Sequence, residues 1–432
     1  MFETLRNAWK TPDLRKKILF TLIIIIIYRF GAAVPVPFLD ADVMKEWMSS
    51  QGTGSFLSYM DILSGGALSG ATLFAMSITP YINAQIIIQL LTYALPPLER
   101  LQKEGETGRK KLQKITDVTG LVLGAIQAYA YYMTLRNAGA VTYTSDFSGV
   151  FAMIVIILSF TAGASLIVWL GNQINENGLG NGISLLLFAG IIARGPSAVL
   201  QLFTLVRQDP GQYAVVVPVV IIIFVLMIAF IVLMNNSERR IPIQYAKRVV
   251  GRKQYGGQST HIPIKVAMSG VMPIIFAMSF MSLPSTLGLF WPPTKDTGFY
   301  YNFLQFFSYD SVWYGVIYFL LIIAFNYFYV SMMYNPIEMA NSLRQNNGGI
   351  PGIRPGKPTT DFIQRVLSKI TLVGAFFLGV IAIFPILFNA ALPGLNIAMG
   401  GTTVLIIVSV ALETVRTLES QMMMRHHKGF LE

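Results

Sequence analysis

The 432-residue sequence contains no cysteine. That excludes a disulfide framework, thiolate metal ligation and thiol catalysis. Charge is scarce too: 12% of residues are Asp, Glu, Lys or Arg, against about 25% in a soluble domain. With 54% hydrophobic residues, a soluble chain would expose apolar patches far larger than a monomer tolerates. Histidine is limited to His261, His426 and His427, none at a metal-ligand spacing with a carboxylate, so no metal or other cofactor is expected. No G-x-x-x-x-G-K-[ST] phosphate loop occurs, and nothing in the chain points to an enzyme. The glycine cluster at 178–182 (GLGNG) precedes an apolar run. Its expected role is a tight turn with close helix approach.

What the chain has is long apolar runs, such as Ile18 to Tyr28 (ILFTLIIIIIY). A membrane barrel would alternate in polarity over segments of about ten residues. Ten stretches approach or exceed the roughly 20 residues that cross a bilayer: 18–38, 71–95, 116–135, 150–171, 183–203, 214–235, 264–290, 311–333, 367–390 and 399–418. The expected fold is all-α and integral to the membrane. The first run follows Arg15, Lys16 and Lys17, as a signal core would, but its length and the lack of a small-residue cleavage site mark a retained span.

The net charge of +11 is unevenly placed. Of 32 Lys and Arg residues, 26 fall in segments on one side of the ten spans, leaving Arg29, Lys45, Arg136, Arg194, Arg207 and Lys295. The positive-inside rule makes that side cytoplasmic, with both termini on it. Ten spans divide into halves of five, 1–203 and 204–432. An odd number per half permits an inverted, pseudo-symmetric repeat.

Two cytoplasmic loops exceed what a connector needs. Residues 236–263 contain Arg239, Arg240, Lys247, Arg248, Arg252 and Lys253; residues 334–366 contain Arg344, Arg354, Lys357 and Arg365 around GGIPGIRPGKP. These charges either enforce topology alone or meet an acidic protein surface, anionic lipid or RNA phosphate.

Residues 57–70 (LSYMDILSGGALSG) are too short to cross. They are an interfacial helix or a re-entrant segment lodged in a protein-lined cavity. Gly70 is a candidate hinge, Ser77 or Thr79 a candidate cap for the next helix, and Pro80 fits its first turn. Most span interiors lack ionisable residues, which disfavours an ion-coupled secondary transporter. Arg29 is the exception, a cation that snorkels or pairs.

Eight further motifs carry a resemblance: PYINAQIIIQLL (80–91), KEGETGRKK (103–111), GNGISLLLFAGI (180–191), RRIPIQYAKR (239–248), QSTHIPIKV (258–266), GGIPGIRPG (348–356), TLVGA (371–375) and GGTTVLIIV (400–408). Over essentially its whole length the chain resembles the SecY/Sec61-alpha family, central channel subunits of the Sec protein translocase. The resemblance implies two five-helix halves around a central pore, a passive conduit for unfolded chains, and lateral release of membrane segments. It implies an aliphatic pore ring of Ile82, Ile86, Ile183, Leu187, Ile275 and Ile406. It also implies a plug over 57–70, including Tyr59, Met60, Asp61, Ile62, Leu63, Ser64, Gly65, Gly66, Ala67 and Leu68. Ile82 and Ile86, like Ile183 and Leu187, share a helix face, but such pairs are ordinary in any membrane helix and do not identify a ring. Asn83, Gln85 and Ser279 are the resemblance's candidates for a lateral gate between spans two and three and spans seven and eight. The basic loops, Arg354 foremost, are implied docking surfaces for the motor ATPase SecA and for ribosomal RNA and proteins. Implied partners also include SecE, SecG, the translocating polypeptide and its signal sequence, and membrane lipid, anionic lipid included. The lack of cysteine and the short tail fit the bacterial branch, hence the plasma membrane.

Overall fold

The computed structural model describes residues 6, 9–50, 61–62, 64–144, 146–208, 210–245, 248–250, 253–255, 259–290, 298–308, 311–391 and 401–426. The helices, in chain order, are α1 (Pro12–Gly31), α2 (Ala41–Ser50), α3 (Thr79–Ala94), α4 (Pro96–Lys103), α5 (Glu106–Asn137), α6 (Asp146–Asn177), α7 (Gly182–Ala193), α8 (Gly195–Gln208) and α9 (Pro210–Asn236). They continue with α10 (Met272–Phe290), α11 (Phe299–Phe306), α12 (Val312–Met333), α13 (Pro336–Gln345), α14 (Lys357–Ala391) and α15 (Gly401–His426). The strands are β1 (Glu238–Tyr245), β2 (Arg248–Val250), β3 (Lys253–Tyr255), β4 (Ser259–Lys265) and β5 (Gly348–Gly349).

The ten expected spans each fall on helix. The segments Glu106–Asn137, Phe147–Asn177, Gly182–Thr204, Val215–Asn236, Trp313–Gln345 and Lys357–Phe384 are long and apolar enough to cross a bilayer. The other four expected spans coincide with α1, α3, α10 and α15. Large apolar side chains such as Ile26, Phe30, Val215, Leu226 and Phe376 lie exposed along these helices. In hydrocarbon they need no cover, because lipid tails are as apolar as they are.

Boundaries depart from the apolar runs where the backbone has a better partner than helix. The second span begins at Thr79, eight residues into its run, with Pro80 in the first turn. The expected Ser77 or Thr79 cap does not form: the cap position is Ile78 and makes no side-chain bond to the helix. Ser77 instead adopts a left-handed φ of 51°. The fifth span is interrupted at Arg194, between α7 and α8, just before Pro196, which has no N–H to donate back into α7. The seventh starts at Met272 because Ile262–Lys265 belong to β4.

The bundle therefore carries a sheet in addition to its helices. β1 pairs antiparallel with β4 from Glu238↔Lys265 to Gln244↔Ser259. β5 adds to the other edge of β1 through Gln244↔Gly349 and Tyr245↔Gly348. Ile241, Ile243 and Ile264 face inward, packing with Ala340, Leu343, Ile350, Ile363 and Leu367. The two long basic loops thus fold together on the ends of α13 and α14.

Within the first half α5 packs against α3 and α6, and α1 against α6 and α7. Within the second, α14 packs against α12, and α15 against α9 and α14. Across the halves, α10 lies against α3 and α5, and α15 against α7.

Close helix approach depends on missing side chains. A Cβ on Gly163 would stand 2.0 Å from the Leu73 carbonyl oxygen, whereas one on Gly315 would meet nothing within 4 Å. Gly163→Ala should therefore lower the thermal unfolding midpoint in detergent, by an overpacking cost of about 1–3 kcal/mol. Gly315→Ala should leave that midpoint near wild type, and equal midpoints for the two variants would show that the approach is not tight.

Candidate functional site

The six aliphatic residues implied as a ring come from four helices: Ile82 and Ile86 from α3, Ile183 and Leu187 from α7, Ile275 from α10 and Ile406 from α15. The structure gathers all six into one apolar cluster. Ile82, Ile86, Leu187 and Ile406 are buried in it, and Ile183 and Ile275 pack against it partly buried. Ala67 of the 57–70 segment belongs to the same cluster.

Local features aim these helices. At the start of α7 the Asn181 side chain accepts from the Ser184 amide (3.3 Å), and Gly180 takes a φ of 76°. The Gly182 amide donates to Asn175 Oδ1 (2.7 Å), and the Leu179 amide to Thr21 Oγ1 (3.1 Å) on α1. A Cβ on Gly182 would lie 2.0 Å from the Gly171 carbonyl oxygen. The GLGNG cluster is thus a tight turn of close approach, as read from the sequence. Ahead of α10, Ser269 Oγ donates to Asn326 Oδ1, and Asn326 Nδ2 donates to the Thr371 carbonyl (2.9 Å). This buried network ties the entry of α10 to α12 and α14.

Within 57–70, residues 57–60, with Tyr59 and Met60, and Leu63 lie outside the described residues. The rest forms a compact, turn-rich hairpin. The Gly66 amide donates to the Asp61 carbonyl (2.8 Å), the Gly65 amide to that of Ile62 (3.0 Å), and the Gly70 amide to that of Gly66 (3.1 Å). Gly65 and Gly66 take φ values of 69° and 91°, which glycine adopts without a Cβ penalty. Beyond Gly70 the chain is anchored: the Val36 amide donates to the Ala71 carbonyl (3.0 Å), and the Leu73 amide to that of Val34 (2.9 Å). Phe74 then stacks on Tyr28 at 5.6 Å.

The seam between the halves runs where α10 meets α3 and α5. Asn83 of α3 and Ser279 of α10 are buried, and Gln85 of α3 is half-buried. At the end of α3, Tyr93 meets Phe328 of α12 edge-on, with ring centroids 5.8 Å apart.

The basic loops present an exposed platform. Arg239, Arg240, Arg344, Arg354 and Lys357 are all exposed. Arg240 Nε pairs with Glu238 Oε1 at 2.7 Å. Among the described residues Arg239, Arg344, Arg354 and Lys357 make no ion pair. Arg248 and Lys253 lie on β2 and β3, the paired tip of the β1–β4 hairpin, while Lys247 and Arg252 lie outside the described residues. Next to the platform, desolvation and the Arg416 guanidinium lower the pKa of Lys265, against the opposing pull of Glu238 and Glu413.

Two residues were not foreseen in these roles. Arg194, counted in the sequence only as a basic residue on the outer side, pairs with Asp61. Arg29 has its Nη1 buried without a hydrogen-bond partner among the described residues, and that nitrogen lies 2.6 Å from where a Gly65 Cβ would be. The only sequence signal was the rarity of cations in or next to spans.

The SecY family model matches residues 72–415. The protein translocase subunits SecY of Streptomyces griseus and of Thermotoga maritima are each 39% identical, over all of this chain and 100% and 98% of theirs. That of Mycobacterium tuberculosis is 40% identical with full coverage of both. The fold is similar to a solved protein-conducting channel, with a TM-score of 0.66 and 18% identity over 94% of this chain and 92% of that one. It is also similar to Sec61 in a canine ribosome–channel complex, with a TM-score of 0.62 and 16% identity over the same shares.

Because the chain has no native cysteine, Tyr93→Cys with Phe328→Cys would supply its only two thiols. A short bis-maleimide should link them in the resting, membrane-embedded protein. Absence of the link, with both thiols reactive, would show that the seam is open at this point.

Proposed function

The chain belongs to the SecY family of multi-pass, protein-conducting channel subunits, and on that premise we propose how its parts divide the work. Its two five-helix halves, 1–203 and 204–432, enclose a path for unfolded secretory chains leaving the cytoplasm across a bacterial plasma membrane. Both termini are cytoplasmic, a reading that the distribution of Lys and Arg supports. Ile82, Ile86, Ile183, Leu187, Ile275 and Ile406 are the constriction, and residues 57–70 the plug above it. The observation that carries this reading is the single apolar cluster that holds all six residues together with Ala67 of the plug segment.

The physics of such a constriction is direct. An apolar collar excludes water and so blocks ions without offering a charge that would trap the passing chain. Aliphatic side chains have no hydrogen bonds to satisfy, so they yield around residues of any type. The chain supplies the conduit and no catalysis; direction comes from the motor ATPase SecA or from elongation on the ribosome. Signal sequences and hydrophobic segments leave sideways into lipid where α10 meets α3 and α5, at the seam lined by Asn83, Gln85 and Ser279. The sheet-braced platform, with Arg239, Arg240, Lys247, Arg248, Arg252, Lys253, Arg344, Arg354 and Lys357, receives SecA, ribosomal RNA or anionic lipid headgroups. SecE and SecG complete the channel.

Ile86→Gly combined with Ile275→Gly should raise ion conductance across resting proteoliposomes severalfold. Wild-type conductance in that variant, correctly inserted, would remove the constriction from these residues. Arg354→Glu should reduce SecA-driven translocation about tenfold or more, on the scale of truncated or reversed charges at protein interfaces, with membrane insertion of the variant unchanged. Undiminished translocation would reject Arg354 as a docking residue.

A further inference from the structure

Asp61 lies outside every long apolar run of the sequence, yet its side chain is 5% exposed. A carboxylate taken out of water is retained only where it is paired and hydrogen-bonded. Asp61 meets both conditions. Its Oδ1 accepts from the Ser69 amide at 2.7 Å, and its Oδ2 accepts from Arg194 Nη2. The same Nη2 also donates to Ser69 Oγ (3.2 Å). One guanidinium therefore clamps both ends of the hairpin, residues eight apart in sequence.

Arg194 belongs to the helix that carries two of the ring residues: it follows α7 directly, two turns beyond Leu187. The hairpin tip meets that helix through bare backbone. A Cβ on Gly65 would stand 2.7 Å from the Gly190 carbonyl oxygen, and one on Gly66 3.2 Å from Arg194 Nη2. Among the described residues, Asp61 is the only carboxylate paired with Arg194. With Arg29 Nη1 2.6 Å from that same Gly65 Cβ position, two cations converge on the hairpin.

We propose that Arg194 is the latch of the channel: its ion pair with Asp61 holds the plug hairpin on α7, and breaking that pair is a step of opening. The proposal rests on reading 57–70 as the plug. Seated, the hairpin places Ala67 in the ring cluster. Released, it pivots at the Gly70–Ala71 junction, where Ala71 has a φ of 49° and the following residues stay tied to 34–36. The latch is held by charge, whereas the ring beneath it seals by apolar packing, so the two barriers can be weakened separately.

The test uses the full-length protein, purified with its co-purifying subunits and reconstituted into liposomes. Asp61→Asn and Arg194→Gln should each raise resting ion flux about tenfold, because each removes a pair whose carboxylate is buried and whose guanidinium is 29% exposed. The double variant should leak no more than either single one, because both remove the same interaction. Ala67→Cys, a lone thiol 1% exposed when seated, should be labelled by an impermeant maleimide faster when Asp61→Asn is added. If Arg194→Gln fails to fold, Arg194→Lys should give a flux between wild type and Asp61→Asn. Deletion of residues 57–70 separates the two readings: a leaky deletion with tight single variants would overturn the latch alone, and a tight deletion would overturn the plug as well. Additive leaks in the double variant would also overturn the latch.

Discussion

Backbone that leaves a helix at membrane depth must find its hydrogen-bond partners inside the protein, because hydrocarbon supplies none. The described residues between Asp61 and Ile78 meet that demand with turns that close on themselves, a backbone bridge from Thr72 to Pro35, and side chains that reach back to carbonyls, such as Ser64 Oγ to Asp61 and Thr72 Oγ1 to Ala67. Each requirement selects residues. Glycine stands at two of the positive-φ positions, Gly65 and Gly66, serine and threonine add a second bond to carbonyls that already accept from a backbone amide, and a carboxylate stands where the Ser69 amide would otherwise be bare. The same constraint shapes the turn at 178–182, where Asn175, Asn181 and Thr21 take up the free amides.

The centre of the molecule follows the opposite rule. Where the halves meet, the cluster around Ile82, Ile86, Leu187 and Ile406 is held by contact area alone. Dispersion contacts are weak singly and summed over many atoms, so the junction can be strong at rest and still yield piecewise. Polar anchoring sits at helix ends: buried Asn326 binds Ser269 and Thr371 at the base of α10, and Arg416 donates to the Asn235 carbonyl (2.8 Å) at the end of α9.

Much of this was legible in the residues and some was not, for physical reasons. Apolar runs located the spans because the bilayer fixes their length. Runs do not mark where helix stops, so the starts at Thr79 and Met272 and the break at Arg194 needed the backbone partners. The ring is proposed from its matched motifs; at helical spacing its aliphatic pairs resemble those of any membrane helix. β5 was invisible because Gly348 and Gly349 carry no side chains to show a pattern. Arg194 read as a marker of topology, since its acidic partner stands 133 residues earlier in a segment that had no assigned depth.

That short glycine strand has a mechanical consequence. Through β5 the loop bearing Arg354 is stitched to β1, and through β4 the same sheet runs within seven residues of α10, the helix that lies along the seam. A body gripping either loop therefore grips a single handle. Strain in that sheet passes along residues 266–271 to the base of α10, so the two loops and the start of that helix form one mechanical unit.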